Sequence, residues 1–292
     1  MSALTCILIA LMIPAPALAH GADGHALRSS WTFDPWIVLP IVVISLLYVS
    51  GRIKLWRRAS HSRLMRWQDL FFCSGMLTLA CALISPLHWL GEHLFTFHMI
   101  EHEIVMAVSA SLIVLARPVG LLLWGIPKRA RRRVGTAMRA PLIHRSWDWC
   151  TGATSATAIH GVAIWSWHLP LLFDAAVTDT AMHRLQHLSF FATAILFWWA
   201  VVWKSDRGTA AWHLFVTMVH TSILGALMAL APRVLYIAQT QTAFAWGLTP
   251  LEDQQLAGMI MWVPAGTIYA GAAMTMLALW IRGPSEQEAQ NA

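Results

Sequence analysis

Seven stretches of apolar residues, near 36–51, 68–88, 98–123, 147–169, 181–203, 210–232 and 256–281, follow one another with only short polar segments between them. A helix needs ~20 apolar residues to cross the hydrocarbon core of a bilayer, and fewer when flanking side chains snorkel. Within lipid each backbone N–H and C=O must find a partner inside the chain, which stretches of this length achieve as helices. The sequence therefore predicts an all-α, polytopic transmembrane helical bundle with about seven spanning helices. Composition agrees: 58% of the 292 residues are hydrophobic and 12% charged, with a mean hydropathy of +0.58, outside the range of soluble domains.

Charge orients the bundle. Segment 52–66 carries Arg52, Lys54, Arg57, Arg58, Arg63 and Arg66, and segment 124–146 carries Lys128, Arg129, Arg131, Arg132, Arg133, Arg139 and Arg145. With Lys204, Arg207 and Arg282, sixteen of the twenty Lys and Arg fall on one side, which the positive-inside rule makes cytoplasmic. The N-terminus is then outside and the C-terminus inside. These charges read as orientation signals, so nucleic acid is not an expected partner. Residues 1–19, with an apolar run from Leu4 to Ile13 and the ending Ala17-Leu18-Ala19, predict a signal peptide cleaved before His20. The expected organisation is a signal at 1–19, an extracytoplasmic tail at 20–35, a membrane domain at 36–281 and a cytoplasmic tail at 282–292. Cys6, Cys73, Cys81 and Cys150 form no CxxC pair, which argues against a disulfide framework or a thiol metal site. Tryptophans at span ends, among them Trp36, Trp67, Trp149 and Trp280, read as interfacial anchors.

Fourteen histidines are many for a chain of this class, because ionisable side chains at membrane depth are costly. On the expected topology His88, His93, His98, His102, His168, His183 and His187 gather at the outer ends of spans two to five. His98 with His102, and His183 with His187, are i,i+4 pairs that each place two rings on one helical face. Two such faces turned inward can supply up to four imidazoles to one ion. His168 is a fifth candidate, with His160, His220 and Met106 secondary; imidazole with thioether suits copper, Cu(I) especially. Glu92, Glu101, Glu103, Asp174, Asp179 and Asp253 are either supporting partners or hydrated loop residues. His98-Met99-Ile100-Glu101-His102 also reads H-x-x-E-H, an inverted zincin pattern, but it opens a span and has no assignable third ligand, so no enzyme activity is expected.

The landmarks from His98-Met99-Ile100-Glu101-His102 to Arg117-Pro118, then Trp167-His168-Leu169-Pro170 with Phe173-Asp174, occur in a definite order. His183-Arg184-Leu185-Gln186-His187, Phe197-Trp198, His220 with Gly225-Ala226, Arg233 to Tyr236, and Leu251-Glu252-Asp253-Gln254-Gln255 with Gly258 and Met261-Trp262 continue it. Over roughly residues 36 to 280 the chain resembles the CtaG-like integral-membrane cytochrome c oxidase assembly proteins. The resemblance implies a multi-pass protein of the bacterial plasma (inner) membrane that helps mature a haem–copper oxidase by handling copper on its outer side. Expected partners are the lipid bilayer, cytochrome c oxidase subunits and a periplasmic copper donor. Two other readings stay open from the residues: a haem-binding membrane protein, with histidines as axial ligands, and an ion or metal transporter using His160 and His220.

Overall fold

The computed structural model describes residues 31–56 and 63–283. The signal peptide expected at 1–19, and most of the tails expected at 20–35 and 282–292, lie outside the described residues. Among the described residues the regular elements are all helices, and no strand occurs. Helices α1 (Pro35–Trp56) and α2 (Arg63–Ile84) precede a short α3 (Pro86–His93). Next comes α4 (Phe95–Leu115), which takes a π-helical turn at Ile104–Ser109. Three smaller helices, α5 (Val119–Gly125), α6 (Lys128–Met138) and α7 (Pro141–Cys150), lead to α8 (Ala153–Trp167) and α9 (Pro170–Thr178). The chain continues through α10 (Thr180–Lys204), α11 (Arg207–Ala229), α12 (Ile237–Thr240) and α13 (Pro250–Arg282).

Six of these helices, α1, α2, α4, α10, α11 and α13, are long and apolar enough to cross a membrane. The stretch 147–169 behaves differently from the single span expected there. Its backbone turns extended at Gly152 (φ −67°, ψ 144°), which separates α7 from an α8 of 15 residues. At 1.5 Å per residue α8 is ~22 Å long, short of a ~30 Å hydrocarbon core. It still runs antiparallel to α10 between the same two ends of the bundle. Lys204 Nζ donates to Thr151 Oγ1 (3.0 Å) at one end, His160 Nδ1 meets Thr193 Oγ1 (3.0 Å) midway, and Trp167 Nε1 donates to Ser189 Oγ (2.7 Å) at the other.

Two further boundaries depart from the apolar stretches, both at proline. Span two, expected to reach 88, stops at Ile84 because Ser85 caps a new helix, accepting from the Leu87 N–H (3.2 Å), and Pro86 occupies its first position. Span three, expected to reach 123, stops at Leu115: Arg117, which precedes Pro118, has a φ of 50°. Proline disfavours the α conformation in the residue before it.

Helix α4 is the centre of the bundle. Of its apolar window 67% is buried, against 11–44% for the other five long helices. The most extensive pairing elsewhere is α11 with α13. There Gly225 faces Gly258, and a Cβ added to Gly225 would lie 2.7 Å from the Trp262 nitrogen and 2.8 Å from the Gly258 carbonyl oxygen. Small residues permit this backbone approach between membrane helices. Gly225→Ala should therefore force the two helices apart and cost about 2–3 kcal/mol, read as a lowered unfolding temperature in detergent.

The two ends of the bundle differ in chemistry. At one end the cations find partners: Arg52 pairs with Asp69 (2.8 Å), Lys54 donates to the Gly125 carbonyl (2.8 Å), Lys204 to Asp148 (2.8 Å) and Arg207 to the Leu279 carbonyl (2.7 Å). The opposite end holds the cluster of histidines described next.

Candidate metal centre

Three capping arrangements shape the histidine end. The Ser85 cap starts α3 so that His88 falls in its first turn. Asp179 caps α10, accepting from the Met182 N–H (2.8 Å), which sets His183 and His187 on successive early turns. Helix α4 has no side-chain cap of its own at Leu94. The carboxylate of Asp253, 158 residues away, supplies it by accepting from Phe95 N (2.8 Å), Thr96 N (3.0 Å) and Thr96 Oγ1 (2.7 Å). Asp253 is itself held in the first turn of α13 by the Thr249–Glu252 capping box. Asp253→Ala leaves these buried donors unpaired and should cost roughly 3 kcal/mol, measurable by thermal unfolding in detergent.

From these starts, His98, Glu101 and His102 share one face of α4, which meets the face of α10 bearing His183 and His187. Ring centroids lie 4.2 Å apart for His98–His102, 4.5 Å for His183–His187, 5.0 Å for His102–His187 and 5.7 Å for His98–His183. The two i,i+4 pairs therefore face each other. His88 joins them from α3, 5.6 Å from His183 and 6.0 Å from His187. One side-chain nitrogen each from His88, His183 and His187 lies within 4.8 Å of the others. The Nε2 atoms of His183 and His187 are 3.1 Å apart. Ligand atoms at ~2.0 Å around a tetrahedral ion are ~3.3 Å apart, so this pair stands at the spacing a shared cation needs.

Glu101 ties the cluster together. Fully buried at 0% exposure, it places Oε1 2.8 Å from His88 Nδ1 and 3.5 Å from His187 Nε2. A carboxylate behind an imidazole orients the ring and raises its basicity as a ligand. Gly91 makes room for it: a Cβ there would sit 2.9 Å from Glu101 Oε2. His88, in the short helix outside the long spans, is subject to two opposing effects. Burial disfavours its charged form, but Glu101, with Glu92 and Asp34, outweighs this and holds its pKa above the usual imidazole value. His183 is partly exposed, and Glu92, 3.8 Å from His88 Nε2, is 49% exposed, so the cluster opens at the end of the bundle.

Several polar atoms here are buried without a protein partner: His98 Nε2, both nitrogens of His102, His168 Nε2, His187 Nδ1 and Glu101 Oε2. Each such group costs ~1–3 kcal/mol, a cost a bound ligand would offset.

The other sequence candidates divide. His168, at the end of α8, hydrogen-bonds the Ile164 carbonyl through Nδ1 (2.7 Å). Its ring lies 6.1 Å from both Phe173 and Phe190, the two rings that pack on His98 and His102. It thus borders the cluster. Met106 is buried one turn beyond His102. His160 is elsewhere, bonded to Thr193 and stacked 5.4 Å from Phe197. His220 accepts from Trp165 Nε1 (3.4 Å) in a separate groove of about 550 Å³ between α8 and α11. His93 turns back onto the Trp89 carbonyl (2.7 Å). Sequence reasoning gathered His88 at this end but left it out of the ligand set; the Ser85-Pro86 break that turns it inward was the available signal.

The family model for the cytochrome c oxidase caa3 assembly factor (Caa3_CtaG) matches residues 46–283. The chain belongs to this family. Among curated relatives, an uncharacterized protein of Mycobacterium leprae (strain TN) is 24% identical over 274 residues, covering 86% of this chain and 40% of that protein. An uncharacterized protein of Mycobacterium bovis is 26% identical over 246 residues, covering 80% and 36% respectively. The chain thus spans well under half the length of these relatives. No solved structure matches it. All the clustered histidines of this caa3 assembly factor relative fall inside the matched region.

Proposed function

We propose that the chain serves the assembly of a haem–copper cytochrome c oxidase by accepting copper on the histidine end of the bundle and presenting it to an oxidase subunit. The bundle lies in a bacterial plasma membrane with this end outside, where a periplasmic donor reaches it. The observation that carries the reading is the convergence of nitrogens from His88, His183 and His187 within 4.8 Å, backed by the buried Glu101. An all-imidazole set suits copper, and copper is the cargo that such an oxidase must receive. The role is transfer of an ion, without catalytic turnover. Haem fits less well, because the clustered rings pack directly on one another and on Phe173 and Phe190. A transport path fits less well too, since His160 and His220 lie outside the cluster, each with only Nδ1 bonded within the protein and Nε2 unpartnered.

Elemental analysis and visible absorption of the detergent-purified chain test the reading: bound copper and no Soret band are expected, and a Soret band without copper would overturn it. A pH dependence follows from His88. Because its pKa is raised, His88 carries a proton below and around its ordinary titration range, and copper must displace that proton. Copper affinity should therefore rise as pH increases through and above that range. Glu101→Gln, which removes the carboxylate holding the proton, should flatten the profile measured by competitive titration.

A further inference from the structure

We infer that the histidine end carries two cation stations in series, the inner one formed on α4 by His98 and His102 and suited to Cu(I). This rests on the reading of His88, His183 and His187 as the outer copper site. An ion held by those three satisfies none of the orphan atoms deeper in the cluster. His98 Nε2, both nitrogens of His102 and His168 Nε2 are still buried without partners. Four orphan nitrogens on three neighbouring rings represent several kcal/mol of desolvation cost that the outer ion leaves untouched.

Geometry sets the coordination number. His98 and His102 are 4.2 Å apart by ring centroid, close enough to share an ion. Among the described residues the compact three-ligand set is the outer one, so the inner pair has no third nitrogen or carboxylate already in place. Zn(II) and Cu(II) call for four ligands; closed-shell Cu(I) accepts two or three and favours soft donors. Met106, buried one turn further along α4, offers a thioether of that kind. His168 keeps its Nδ1 on the Ile164 carbonyl, the arrangement that presents the other nitrogen of a ligating imidazole.

His187 links the two stations. Its ring is 4.5 Å from His183 and 5.0 Å from His102, and its Nδ1 is itself unpartnered. An ion can pass inward by exchanging His183 for His102 while His187 stays bound, with no change of valence.

The test is anaerobic titration of the detergent-purified native chain with Cu(I) against a chromophoric Cu(I) chelator. About two equivalents are expected, the second lost in His102→Leu while the first is retained. Because the native chain supplies the stoichiometry, the result does not hang on any variant folding, and His98→Leu gives an independent check. A single equivalent in the native chain would overturn the inner station and leave the outer site standing. No copper at all would overturn the outer site itself.

Discussion

Alanine at both His183 and His187 should remove copper from the outer station while the bundle stays intact. The two side chains supply two of the three converging nitrogens, with their Nε2 atoms 3.1 Å apart. Loss of an orienting partner behind a ligand costs ~10–100-fold in metal affinity, and loss of two ligands must exceed that. Neither side chain takes part in the Asp179 cap, so α10 keeps its start. Competitive copper titration of the native and double-variant proteins reads the loss; equal affinities would remove the outer site from the account.

A second substitution should act on the fold itself. His102 is 1% exposed, and neither of its nitrogens has a partner. Leucine fills similar space without those polar atoms, so His102→Leu should stabilise the copper-free protein by about 1–3 kcal/mol. The unfolding temperature in detergent would rise. A structural histidine, fully bonded in the core, would give a loss instead. Stabilisation on removal is the mark of a side chain kept for its ligand chemistry at the expense of the fold.

The reach of the sequence can be judged from the same residues. Apolar runs and basic loops give the helices and their order because hydrophobicity along one chain is a local property. The pairs His98 with His102 and His183 with His187 were legible as i,i+4 faces for the same reason, and those faces do meet. Helix rotation is a matter of packing, so His88, gathered at this end by sequence but left out of the ligand set, and Glu101, one of several acids there, took their places only once α3 and α4 were seen side by side. Asp253 reads in sequence as either a supporting partner or a hydrated loop acid, and the structure gives it another task, capping α4 from the far end of the chain. The break at Gly152 is likewise a backbone choice that an apolar average over 147–169 conceals.

The most direct test of the central claim is the copper content of the oxidase that the chain is proposed to serve. It would be purified from cells whose own copy of this chain is replaced by the His183→Ala, His187→Ala variant at normal membrane level. The account predicts an oxidase that retains haem but lacks copper; an oxidase with its full copper complement would contradict it.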